Sequence, residues 1–100
     1  MIRGTTPTHI FQLPFEAGTL DEVRVSYAQA NKVIVEKVTK DCTLKENMIT
    51  VKLTQEETLK FSTMRNVDIQ LKVKTNDGTV LATSIMRESV ENVLNEEVLV

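Results

Sequence analysis

A single histidine, a single cysteine and two adjacent glutamate pairs are the groups in this 100-residue chain that acid-base, nucleophilic or metal chemistry would draw on. Nucleophilic catalysis requires a base beside a hydroxyl or thiol. His9 falls in the alternating run Thr8 to Leu13, on the face shared with Phe11 and Leu13, where a packing histidine is the expectation rather than a base. One Cys and one His do not complete a structural zinc site, and Asn76-Asp77-Gly78 lacks the further carboxylates of a calcium loop. Turn chemistry accounts for that tripeptide on its own. Glu56-Glu57 and Glu96-Glu97 have no apolar setting that would raise a pKa for acid-base work; the first reads as helix-start charge and the second as a solvated turn. Gly4, Gly18 and Gly78 are too far apart for a phosphate loop. Sugar stacking wants exposed Trp or Tyr, and the one tyrosine, Tyr27, is patterned inward. No catalytic residue, metal ligand or cofactor is assigned, and the expected working parts of a non-enzymatic protein are its surfaces and strand edges.

Composition narrows the class. At 41% hydrophobic residues a chain of this length closes one core, and residues 1–100 are expected to form a single domain. With aromatics at 4% and no Trp, Val, Ile, Leu and Thr must fill that core, which favours strands. A net charge of -2, mixed along the chain, supplies no basic face for nucleic acid. No apolar run approaches 18 residues and the first residues lack a signal-peptide core, so synthesis in the cytoplasm without a membrane partner is expected. Cys42 has no second cysteine to pair with.

The elements follow from period-2 patterning. Strands are expected at Thr8–Leu13, around Val23, Val25 and Tyr27, at Lys32–Thr39, at Met48–Leu53 and at Val67–Lys74. Pro14 ends the first, Phe15 to Asp21 reads as a loop, and Ala30-Asn31-Lys32 supplies a turn. Lys32–Thr39 carries apolar residues on both faces, and Lys40–Asn47 reads as a short strand or an irregular link. Thr54-Gln55-Glu56-Glu57 matches a capping box, which predicts one short helical turn placing Leu59 and Phe61 against the core. The clearest unit is the hairpin Val67–Met86. A three-residue loop Asn76-Asp77-Gly78, with Gly78 left-handed, sets Val73 opposite Leu81, Leu71 opposite Thr83 and Ile69 opposite Ile85. That register buries more apolar area than a two-residue turn and turns Leu81 and Ile85 inward. Ser89–Leu94 fits either a closing strand or a helical turn, and Val98-Leu99-Val100 is expected to pack on the domain or on a partner. The predicted fold is all-β: an antiparallel, immunoglobulin-like sandwich of about seven strands with one short helical turn.

At Ile2-Arg3-Gly4-Thr5-Thr6-Pro7-Thr8, continuing to Phe11-Gln12-Leu13-Pro14, the chain resembles a group of short tailed-phage and prophage proteins of Gram-positive hosts. Leu53–Leu59 and the strand Val67–Val73 resemble the same group. More distantly, the chain is similar to the N-terminal module of siphophage baseplate upper proteins, which anchors a fibre-bearing chain to the tail. The resemblance implies a virion structural part, made in the host cytoplasm and docking in many copies or as a homo-oligomer on other virion proteins. The sequence departs from the baseplate protein in carrying no coiled coil or receptor-binding portion before Val100. A stand-alone sandwich acting as a tail or baseplate adaptor is expected first, and a capsid decoration protein bound to the major capsid protein second. From another class, a phage-encoded binder of a host protein is the alternative. The expected docking residues are Arg3, Thr5 and Thr6 in the lead-in and Val98, Leu99 and Val100 at the aliphatic end.

Overall fold

Alternating residues become paired strands in the computed structural model, which describes residues 1–100. The strands are β1 (Thr8–Gln12), β2 (Leu20–Gln29), β3 (Lys32–Val38), β4 (Cys42–Lys45), β5 (Met48–Lys52), β6 (Val67–Thr75), β7 (Val80–Ala82) and β8 (Met86–Glu88). One helix, α1 (Gln55–Leu59), and two short 3-10 turns complete the set, so there are eight strands where about seven were expected. They form two antiparallel sheets of a β-sandwich. One has the order β1-β5-β4; the other has the order β3-β2-β6-β7, with β8 also on the outer side of β6. These orders match the B-E-D and C′-C-F-G arrangements of an immunoglobulin-type sandwich, with position A, outside β1, left without a strand.

The core lies between the sheets. Phe11, Ile49, Val51 and Leu53 face it from one side, and Val23, Val25, Tyr27, Val35, Val67, Ile69, Leu71 and Val73 from the other. Burying one such side chain stabilises the fold by about 1.5–3 kcal/mol. On β3 the two-sided pattern is resolved by a bulge. Tyr27 pairs with Val35 and Ala28 with Val33, which leaves Ile34 without a cross-strand partner. Val35 and Lys37 then point inward and Val33 stays 51% exposed. The turn before β3 is Ala30-Asn31 alone, both with positive φ as a two-residue type I′ loop requires, and Lys32 already belongs to the strand.

The β6–β7 loop is the three-residue one. Thr75 N–H donates to Thr79 O at 2.8 Å, Gly78 has φ +91°, and Val73 pairs with Leu81. Two other expectations for this hairpin are corrected. Ile69 pairs with Met86, not Ile85. The slip begins at Thr83, whose hydroxyl takes the place of a backbone carbonyl and accepts the Leu71 N–H at 3.1 Å, while its own carbonyl turns to the Gln70 amide at 2.8 Å. One extra residue follows before the ladder resumes, as in a bulge. Nor are Leu81 and Ile85 buried: they remain 44% and 51% exposed, because the facing sheet ends at β1 and leaves β7 and β8 uncovered. The segment from Ser89 to Leu94 is neither of the expected forms. Val90 is buried and Ile2 bridges to Glu91 in parallel, after which the chain runs without regular structure to Val100. No helix is long and apolar enough to cross a membrane.

Candidate interaction surface

Thr54 and Glu57 close the predicted capping box: the Thr54 hydroxyl accepts the Glu57 N–H at 3.1 Å and the Glu57 carboxylate accepts the Thr54 N–H at 2.8 Å. A five-residue helix is too short to hold by propensity. Its other anchors are Thr58, fully buried with its hydroxyl donating to Thr5 O at 2.9 Å, and Phe61, buried just past its end. Around α1 the two ends of the chain meet. The Arg3 guanidinium donates to Asn92 Oδ1 at 3.0 Å, Glu96 Oε1 at 2.7 Å and Leu59 O at 2.9 Å. Leu99 exchanges two backbone bonds with the Gln55 amide, at 2.8 and 2.9 Å.

The six expected docking residues thus divide by role. Arg3 is occupied by the chain's own C-terminal segment, and what it gives a surface is the position of that segment. Thr5 bonds back to Ile2 O at 2.6 Å, and Thr6 is exposed beside it. Val98 is half-buried, whereas Leu99 and Val100 lie in solvent, as do Ile2 and Leu94. An aliphatic surface is held out at this end by polar contacts.

The groups with chemical potential are tied into the structure. His9 is half-buried on the inner face, as its pattern implies. Its Nδ1 lies 2.8 Å from the Tyr27 hydroxyl and its Nε2 3.3 Å from Glu88 Oε2. A neutral ring protonated at Nε2 satisfies both contacts, since a carboxylate only accepts and the tyrosine hydroxyl then donates to Nδ1. Burial, and then the charges of Cys42, Glu88 and Glu57, push the Tyr27 hydroxyl upward, so it stays protonated as that donor. Burial, followed by Asp41, likewise raises the Cys42 thiol, which donates to Val38 O at 3.4 Å. The thiolate needed for attack is disfavoured there.

Lys37 and Glu57 form an ion pair of 2.7 Å between β3 and α1, which sequence reasoning missed because 20 positions separate two residues that each read as surface charge. Burial by itself would raise the Glu57 carboxyl, but the Lys37 ammonium and the Thr54 amide outweigh it and hold the group below its ordinary value near 4.5. A lowered carboxylate stabilises the fold fully above its unfolded pKa, and that contribution is lost as pH falls through the folded one. Glu57→Gln should therefore cost about 1–3 kcal/mol at neutral pH, less than a fully buried pair because the Glu57 side chain stays 21% exposed. Urea midpoints of the two proteins should converge as pH drops from about 5 toward 3. A gap that does not narrow over that range would contradict this account.

A second surface lies along the open side of the sandwich. Between the end of β1 and β7, Leu13, Phe15, Leu71, Val73, Leu81 and Ala82 line a shallow apolar groove. Between β1 and β8, a second groove is lined by Phe11, Ile69 and Met86 together with His9, Arg87 and Glu88. Both follow from the same cause, a three-stranded sheet facing a wider one. No protein-family model, curated protein or solved structure matches this chain.

Proposed function

We propose that the protein is a non-enzymatic structural module of a tailed-phage particle, docking in many copies on other virion proteins at the tail or baseplate. The observation that supports docking is the aliphatic end around α1. Arg3 and Gln55 fix the C-terminal segment by side-chain bonds while Leu94, Leu99 and Val100 face water. Polar groups spent on holding apolar side chains in solvent are the arrangement of a surface that a partner covers. The resemblance of the lead-in and of Leu53–Leu59 to short phage and prophage proteins supports the particle as that partner.

Deletion of residues 96–100 tests the surface, with circular dichroism as the control for folding, since Arg3 loses its Glu96 partner. Incorporation into purified particles, measured by mass spectrometry against the major capsid protein, should fall by about tenfold or more. Unchanged incorporation would remove the C-terminal end from the docking role. Wild-type protein absent from the particles would overturn the structural role itself and favour a binder of a host protein. Labelled antibody on the head rather than the tail would replace the adaptor with capsid decoration.

A further inference from the structure

Asp77-Gly78 is the only place in the chain where glycine follows an aspartate or an asparagine. The backbone nitrogen after an aspartate lies within ring-closing distance of its carboxyl carbon, and glycine has no side chain to shield that approach. The pair sits in the β6–β7 loop, where Asn76, Asp77 and Gly78 are all exposed. Gly78 has φ +91° and open space where a Cβ would stand. Water therefore reaches both reacting groups.

The turn nevertheless ties both of them down. Asp77 Oδ1 accepts the Thr75 hydroxyl and, at 3.1 Å, the Thr79 N–H. Such bonds favour the ionised form, and the one from Thr75, followed by those from Thr79, holds the Asp77 carboxyl below its ordinary value near 3.8. The neutral carboxyl is the form a nitrogen attacks, because the charge of a carboxylate repels a nucleophile and leaves it no good leaving group. Gly78 is engaged as well, its N–H donating to Thr75 O at 3.0 Å. Thr75 thus holds the carboxylate through its hydroxyl and the nucleophile through its carbonyl. It is itself fixed as the last residue of β6, with its N–H on Thr79 O at 2.8 Å.

We infer that Asp77 is a site of spontaneous isoaspartate formation, which Thr75 holds in check in the native turn. The reaction needs water alone. Gly78 N attacks Asp77 Cγ, and as the new N–Cγ bond forms, the carboxyl hydroxyl leaves with the proton of the nitrogen as water, closing a cyclic succinimide. Water then adds to either ring carbonyl. Opening at Cγ restores aspartate, whereas opening at the main-chain carbonyl leaves the chain running through Cγ beside a free α-carboxylate. The water lost in closure is returned in opening, and nothing is oxidised or reduced. The product puts an extra backbone carbon into the loop that sets Val73 opposite Leu81. It loosens β7, the short strand that carries Leu81 and Ala82 over the groove beside β1. This chemistry is local to the loop and independent of any docking role.

Purified protein incubated for days in mildly acidic buffer tests this, with isoaspartate located by electron-transfer fragmentation of the loop peptide. At Asp77 it should accumulate several-fold more slowly in the native protein than in the same chain unfolded in urea. Thr75→Val keeps the β-branched shape and removes the hydroxyl, so it should close most of that gap, with circular dichroism as the control for folding. Thr75→Ser keeps the hydroxyl and should stay close to wild type, which separates the bond to Asp77 from a loosening of the strand end. In the fraction that carries isoaspartate, hydrogen exchange at the Thr75 amide should quicken, because its Thr79 partner has moved. Native protein that isomerises as fast as the unfolded chain, an unfolded chain that forms no isoaspartate at Asp77, or a Thr75→Val variant no faster than wild type would each overturn the inference. So would a Thr75→Ser variant as fast as Thr75→Val, isoaspartate arising first at another aspartate, or unchanged exchange at Thr75.

Discussion

Phe61→Ala should lower the unfolding free energy by about 3–5 kcal/mol, the usual cost of emptying an aromatic site in a core. Phe61 is 1% exposed and sits where the chain leaves α1, with its N–H donating to Thr58 O at 3.3 Å. Its ring packs on Tyr27, centroid to centroid 6.3 Å at 43°, and Tyr27 in turn meets His9 at 5.5 Å. Truncation removes the plug that α1 inserts between the sheets, and the short helix has no other large fully buried side chain to hold it in place. For a 100-residue domain this corresponds to a fall in Tm of roughly 15–30 °C. Urea denaturation checks it: a loss under about 1 kcal/mol would mean that neighbouring side chains collapse into the site, contrary to the close packing expected there.

Gln29→Ala should cost about 2–4 kcal/mol by a different mechanism. Gln29 is 6% exposed at the end of β2 and its amide makes three bonds to the connection between α1 and β6. Nε2 donates to Ser62 O at 2.8 Å and to Arg65 O at 3.1 Å, and Oε1 accepts the Ser62 N–H at 2.9 Å. Removing the amide leaves two carbonyls and one N–H short of a partner, each at a cost of about 1–3 kcal/mol where water does not reach. Gln29→Glu preserves shape but turns a carboxylate on two carbonyls, so it should do no better than Ala. Native-state hydrogen exchange at Ser62 should rise in both variants, alongside lower urea midpoints. Unaltered protection at Ser62 would show that the loop is held by its own turn bonds.

How these effects divide between local and long-range causes explains what could be read from the residues. The hairpin loop at Asn76-Asp77-Gly78, the capping box at Thr54 and Glu57 and the inward faces of Val67–Val73 and of Val23, Val25 and Tyr27 appear in the structure as their spacing implies. Each depends on steric and hydrogen-bond rules that act within four residues or on alternation along one strand. The same is true of His9, whose face was set by Phe11 and Leu13. From these, an all-β sandwich follows.

Tertiary structure decided the rest, because burial and pairing depend on what lies opposite. Leu81 carries the inward alternation of Val73 yet stays partly in solvent, since no strand of the facing sheet reaches it. Met86 replaces Ile85 opposite Ile69 because a threonine hydroxyl, not a backbone carbonyl, met the Leu71 amide. Gln29 and Lys37 look like surface residues until partners 33 and 20 positions away enclose them. Arg3 finds Glu96 across 93 positions, which brings the lead-in and the C-terminal segment side by side. Sequence by itself determined the longer strands and the dry faces of β1, β2, β5 and β6, consequences of residue type and short-range spacing. Only the fold could place β1 at an open edge, because which strand lacks a neighbour is a property of the whole sheet.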